Sequence, residues 1–192
     1  MRFSDFPEFL SDIQGVFRIR RDPFPAETET GKSSGQVLHQ LTTEPRDVVW
    51  GGGHGQLPMA VLGSKNWTDY SVTAVGRTNS SGANDTLAVY GRCGHGFAFG
   101  PAGGYALQVW PATGRWSLLT GPTHGVGLAN GTAELSGWTQ LELTLAGKTV
   151  SAAIDGKTVA RVEDGTFADG LAGLGSGWHS SWFSSFAVRG GE

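Results

Sequence analysis

Charge is scarce in this sequence. Only 16% of its residues are Asp, Glu, Lys or Arg, the net charge is −3 and the pI is near 5.9. That balance excludes the basic face a nucleic-acid binder needs to neutralise phosphates. Cysteine is nearly absent, and Cys93 alone cannot form an intramolecular disulfide. No apolar run approaches the roughly 20 residues of a membrane-spanning helix. The opening MRFSDFPEFL is polar and lacks the apolar centre of a secretory signal. No 3.6-residue period runs long enough for a stable helix, with Pro7–Asp12 expected to make one turn at most. A repeat of fixed period is also missing. Five histidines are present, but His54, His95, His124 and His179 lie in expected loops without the spacing of a zinc site. The run Gly31-Lys32-Ser33-Ser34-Gly35 spells a nucleophile elbow, yet no buried strand precedes it and no helix follows.

Glycine and tryptophan are plentiful, at 31 and 7 positions, as expected of many tight turns joining aromatic strands. Short runs of alternating apolar residues recur along the chain: QVLHQL, MAVLG, NWTDYSVTAVGR, WTQLELTLAG, VSAAIDG, TVARVED, LAGLGSGW and SSFAVRG. About ten or eleven strands at this spacing predict an all-β sandwich of one domain over residues 1–192. Residues 1–47 are expected to be mostly irregular and packed on it, with strand-like runs at Gly15–Arg20 and Gln36–Leu41. The stretch GPTHGVGLANGTAELSG reads as a long loop. Asp155-Gly156 is the strongest hairpin signal, since both positions of a two-residue turn require positive φ. Asn-x-Ser/Thr sequons occur at Asn66, Asn79, Asn84 and Asn130, and they matter only where the host glycosylates.

The central runs are TLAVYGRCG, GYALQVW and RWSLLTG. Period two puts Leu87, Val89, Gly91 and Cys93 on one face and Ala88, Tyr90 and Arg92 on the other. It likewise separates Tyr105, Leu107 and Val109 from Ala106, Gln108 and Trp110. With the larger apolar sets inward, Tyr90, Arg92, Gln108 and Trp110 face out. An aromatic ring beside long hydrogen-bonding side chains suits a sugar-binding surface; a merely solvated outer face has the same composition. Trp110, Trp178 and Trp182 are the tryptophans expected to be exposed near the central sheet. Trp178 and His179 complete the candidate carbohydrate site. Trp67, Trp116 and Trp138 are expected in the core, and Trp50 is expected to be buried.

Catalytic carboxylates are missing where a jelly-roll glycosidase would carry them. Such an enzyme needs a pair about 5–10 Å apart, whereas the three central runs contain no Asp or Glu. Asp69, Asp155, Asp164 and Asp169 fall at turns or strand ends, and Glu142 is isolated on a strand. A polysaccharide lyase is the alternative enzyme, with Tyr90, Arg92, Gln108 and His95 of suitable type. A purely structural packing domain is the third reading.

The order QGVFRI, QVLHQ, VVWGG, LGSKNWTDYSV, WTQLELTLAGKTVSAAIDGKTVA, LAGLGSGW and a closing FAV has a family likeness. From about Phe9 onward the chain resembles the C-terminal lectin-like domain of galactocerebrosidase-type glycoside hydrolases. The resemblance implies a jelly-roll sandwich of the concanavalin A-like lectin/glucanase type, without catalysis of its own. It also implies a galactosyl or related glycoconjugate ligand, a catalytic (β/α)8 barrel as partner, and a secreted or extracellular location. A calcium ion near the terminal strands is implied too. Here, however, Ser184 and Ser185 stand where relatives carry an acid and an amide, so no cofactor and no metal ligands are expected. The loop after Trp50 reads GGGHG where relatives tend to carry an Asp.

Overall fold

A computed structural model describes residues 11–24, 35–43, 57–79, 82–94, 103–121, 125–135 and 137–190. Among them are fourteen strands and no helix: β1 Ser11–Gln14, β2 Phe17–Arg21, β3 Gln36–Gln40, β4 Met59–Leu62, β5 Tyr70–Thr78, β6 Leu87–Cys93 and β7 Tyr105–Trp110 form the first half. The second half comprises β8 Arg115–Thr120, β9 Gly127–Thr132, β10 Thr139–Ala146, β11 Thr149–Ile154, β12 Lys157–Glu163, β13 Leu171–Ser176 and β14 Ser181–Gly190. They form two antiparallel sheets of seven strands each. The first runs β1-β4-β13-β6-β7-β8-β9 and the second β12-β11-β10-β5-β14-β3-β2. The all-β jelly-roll sandwich is thus the observed architecture.

Strand alternation builds the core between the sheets. The first sheet contributes Leu87, Val89, Leu107, Val109, Trp116 and Leu118; the second contributes Val72, Ala74, Leu141, Leu143, Leu145 and Phe183. In β10 every second residue from Thr139 to Leu145 is buried. The period of the sequence and the period of burial coincide there because one face meets core and the other water.

Three expectations about the strands need correction. Fourteen strands replace the expected ten or eleven. The stretch read as a long loop contains β9, whose GLANGT carries almost no β-preference and exists by pairing with β8. Sheet registry overrides propensity at such an edge. Within 1–47, three strands join the sheets, and β1 occupies residues expected to start no strand. Trp50, His54, His95, His124 and most of the Gly31–Gly35 run lie outside the described residues.

Asp155 and Gly156 connect β11 to β12 with φ of 47° and 77°, the signature of a type I′ turn. The Asp155 carboxylate accepts the Gln140 N–H at 2.9 Å and so anchors the turn to β10. Nothing lies within 4 Å of a Cβ placed on Gly156, so a substitution there is opposed only by backbone strain. Gly156→Val is expected to destabilise by roughly 1–3 kcal/mol in a urea melt, while Gly156→Asn, which tolerates positive φ, stays near wild type. A valine variant as stable as wild type would contradict the turn.

Candidate functional site

The outer face of the first sheet is built by registry. Ala88 lies opposite Gln108, Gln108 opposite Ser117, and Ser117 opposite Asn130. With strands about 4.8 Å apart, the Gln108, Ser117 and Asn130 backbones form a row roughly 10 Å long. Gln108 is 6% exposed, Ser117 half-buried and Asn130 exposed, so the row slopes from the sheet centre out to its edge. The parallel row one step along pairs Trp110 with Arg115 and Arg115 with Thr132. The β7–β8 loop sets this registry. Thr113 and Gly114 both donate to the Trp110 carbonyl, at 3.1 and 2.9 Å, and Gly114 takes a φ of 69°. A Cβ on Gly114 would come within 2.5 Å of the Ala133 carbonyl oxygen, so glycine lets the loop close against the next strand.

Toward the middle of the same face, Tyr90 and Ala88 pack with Met59, Val61, Cys93 and Ala106 in a second apolar cluster. Tyr90 lies against glycines of β13: a Cβ on Gly175 would meet its hydroxyl at 3.0 Å. Its hydroxyl is buried and has no hydrogen-bond partner among the described residues. Burial raises its pKa, and burial likewise pushes the Cys93 thiol up to about 12. Both groups are therefore neutral at ordinary pH.

Arg92 is not on this face. Residues Leu171 and Gly173 of β13 face Cys93 and Tyr90 of β6, so β6 carries one extra residue, and Arg92 has a φ of 50°. This bulge breaks the period of two. It turns Arg92 toward the end of the sandwich and brings Cys93, expected on the core side, onto the outer face beside Tyr90. The Arg92 guanidinium donates to the Thr68 carbonyl at 2.8 Å, the Phe167 carbonyl at 3.0 Å and the Asp69 carboxylate at 3.2 Å. Its own N–H donates to the Tyr70 hydroxyl at 2.5 Å, and that hydroxyl in turn lies 3.0 Å from the Gly170 carbonyl. With 1% of its surface exposed, Arg92 is a structural plug.

His179 is also buried and structural. Its Nε2 lies 2.9 Å from the Thr86 backbone nitrogen and 3.0 Å from the Thr86 carbonyl oxygen, and its Nδ1 lies 3.3 Å from the Ser180 carbonyl oxygen. Gln40 holds the same loop from the other side, donating to the His179 carbonyl at 3.2 Å. Trp178 is half-buried in that doubly fastened loop. The adjacent Gly177 donates to the Thr86 carbonyl at 3.2 Å, and by registry Thr86 comes opposite Trp110. Trp182, expected to be exposed, is 7% exposed and packs outside the second sheet with Val37, Val75 and Trp138. Phe24 meets its ring edge-on at 5.1 Å and His39 stacks on it at 4.7 Å.

Of the six residues expected to bind carbohydrate, the structure thus places Tyr90, Gln108 and Trp110 on one face and Trp178 at its margin. Arg92 and His179 go elsewhere. Ser117, Asn130 and Arg115 join the face, and sequence reasoning passed over them. The four-residue loop Pro111–Gly114 was the available signal, because it fixes Trp110 against Arg115 and therefore Gln108 against Ser117.

The carboxylates hold turns. Asp69 accepts the Gly147 N–H at 2.8 Å, and Asp164 accepts the Tyr105 hydroxyl at 2.6 Å and the Thr166 N–H at 2.9 Å. The Tyr105 hydrogen bond is the main cause holding the Asp164 carboxyl below its ordinary range. A cleft of about 670 Å³ opens where β9 and β12 meet, lined by Thr132, Glu134, Ile154, Asp155 and Lys157. Asp155 there is the turn anchor already described. Among the described residues no cluster of three His, Cys, Asp or Glu side chains could hold a metal ion.

Two antiparallel sheets packed in this order define a lectin-like β-sandwich fold. The family model for the galactocerebrosidase C-terminal lectin domain matches residues 12–190, and the chain belongs to that family. No curated protein sequence matches it. Among solved structures, carbohydrate-binding module CBM66 from Bacillus subtilis superposes with a TM-score of 0.65 at 11% identity, covering 94% of each chain. A Bacillus subtilis protein of unknown function with a galectin-like fold gives 0.54 at 12% identity, covering 91% of this chain and 89% of that one. Alginate lyase A1-II′, of polysaccharide lyase family 7, gives 0.56 at 13% identity over 84% and 82%. At such identities these likenesses concern the fold alone.

Proposed function

We propose that this chain binds a glycan on the outer face of its first sheet and performs no catalysis. It would serve as the accessory domain of a galactocerebrosidase-like glycoside hydrolase, beside a catalytic (β/α)8 barrel, outside the cell or on the route there. The observation that carries the reading is the row Gln108–Ser117–Asn130 lying next to Trp110. An amide, a hydroxyl and an amide on three adjacent strands can bond successive sugar hydroxyls, while an indole face takes the apolar C–H side of a ring. Support for a non-catalytic role comes from the groups a lyase would use. Tyr90 is buried, and the Arg92 guanidinium is spent on Thr68, Phe167 and Asp69. No described helix is long and apolar enough to cross a membrane.

Glycan-array binding followed by titration calorimetry tests this. Wild type is expected to bind weakly, in the micromolar-to-millimolar range, or about −4 to −8 kcal/mol. Trp110→Ala and the double variant Ser117→Ala/Asn130→Ala should each weaken binding roughly tenfold or more, with melting midpoints close to wild type. Undiminished binding by both variants would move the site off this face. Release of unsaturated uronate products by wild type would make the chain a lyase instead.

A further inference from the structure

Among the described residues the outer face of the first sheet is almost free of charge, and the cation on it, Arg115, sits on its aromatic platform. Across β4, β13, β6, β7, β8 and β9 the outward side chains of described residues include Met59, Val61, Leu171, Ala88, Tyr90, Cys93, Ala106, Leu119, the Gln108 row and the Trp110 row. Arg115 is the charged one among them. Its guanidinium carbon lies 5.0 Å from the centre of the Trp110 ring, a cation–π contact. The Nε group donates to the Thr113 hydroxyl at 3.3 Å. Among the described residues its two terminal nitrogens make no hydrogen bond, and Arg115 forms no ion pair. Arg115 is exposed, so this arrangement is held by weak forces and can be exchanged.

A sugar that stacks on Trp110 from that side must displace the guanidinium. A neutral sugar returns only its C–H face to the ring and neutral hydroxyl oxygens to the guanidinium. A sugar bearing a carboxylate or sulfate offers the two free nitrogens a charge-assisted, two-point hydrogen bond. The strands β4, β13, β6, β7, β8 and β9 carry no Asp or Glu, and Glu134 and Asp155 lie past the edge of the face, in the cleft that Thr132 also lines. Resting on the glycan-binding reading above, we propose that Arg115 selects glycans by charge: it covers Trp110 against neutral sugars and swings onto acidic ones. The ligand class is an acidic glycan, uronate or sulfated, lying along the Gln108–Ser117–Asn130 row.

The test titrates the protein with galactose oligomers, the same oligomers sulfated, and oligogalacturonate, at low and high salt. Wild type is expected to prefer at least one acidic series by about tenfold at low salt, less at high salt, where the exposed pair is screened. Preference for the sulfated series alone, or for the uronate series alone, names which anion is the source. Arg115→Ala should lose the acidic preference and tighten neutral binding, because the ring is uncovered. Arg115→Lys keeps the charge without the flat stack and should retain only part of the preference. Equal wild-type affinity for neutral and acidic series, or an acidic preference that survives Arg115→Ala, would overturn the charge filter and leave the glycan face standing. Absence of binding to every series would overturn both.

Discussion

Arg92→Ala is expected to cost roughly 3–5 kcal/mol of stability, the sum of a large buried side chain lost and buried carbonyls left unsatisfied. The loss has two sources. Truncation empties the volume of one of the largest fully buried side chains. It also strands the Thr68 and Phe167 carbonyls, which the guanidinium holds at 2.8 and 3.0 Å. The ion pair adds little, since the Asp69 side chain is 62% exposed and screened by water. Asp69→Asn should therefore be far milder than Arg92→Ala, although both touch the same 3.2 Å contact. Urea unfolding at constant m-value measures the difference. A wild-type midpoint for Arg92→Ala would return that side chain to the surface, where strand alternation alone had put it.

Gly170→Ala is expected to be comparably severe, at roughly 3 kcal/mol or more, and for a different reason. Gly170 has a φ of 142°, a conformation side-chain-bearing residues rarely adopt. A Cβ there would lie 2.4 Å from the Cys93 carbonyl oxygen and 2.5 Å from the Arg92 carbonyl carbon. Both obstacles are backbone atoms, so no rotamer change relieves them. The Gly170 N–H also donates to the Trp67 carbonyl at 3.0 Å, and its carbonyl accepts the Tyr70 hydroxyl, so retreat would break hydrogen bonds. Gly156→Ala meets open space, so only the strain of positive φ opposes it, at about 1–2 kcal/mol. Equal melts for the two alanine variants would refute the close approach. Because Arg92 and Gly170 share Tyr70, their double variant should lose less than the sum of the two.

The sandwich was legible because its long strands alternate cleanly. Leu141, Leu143 and Leu145 announce β10, and Asp155-Gly156 announces the hairpin after β11. Legibility failed where one strand departs from period two. Nothing in Gly91-Arg92-Cys93 marks the inserted residue, since positive φ at an arginine is visible only once β13 has paired with β6. From that single bulge follow both errors in the central strand, Arg92 turned away and Cys93 turned outward. Trp182 was misplaced for another reason. The second sheet covers part of its own outer face with Phe24, and a residue before β3 that packs across four strands leaves no periodic trace. The Gln108–Ser117–Asn130 row was recoverable in principle, because hairpin loop length fixes registry. It was missed because β9 itself looks like loop.

The bulge that carries Cys93 onto the outer face also gives the molecule a built-in clock. The chain has one cysteine. Its thiol is buried, and burial pushes its pKa up to about 12. An alkylating reagent needs both access and thiolate, so it reacts only with molecules whose β6–β13 corner has opened. Where reclosing outruns alkylation, the labelling rate reads the population of that opened form directly. Cys93 is the immediate neighbour of Arg92, and its carbonyl is what a side chain at Gly170 would strike. Loosening of that one corner can thus be timed separately from unfolding of the whole sandwich, without attaching any probe to the protein.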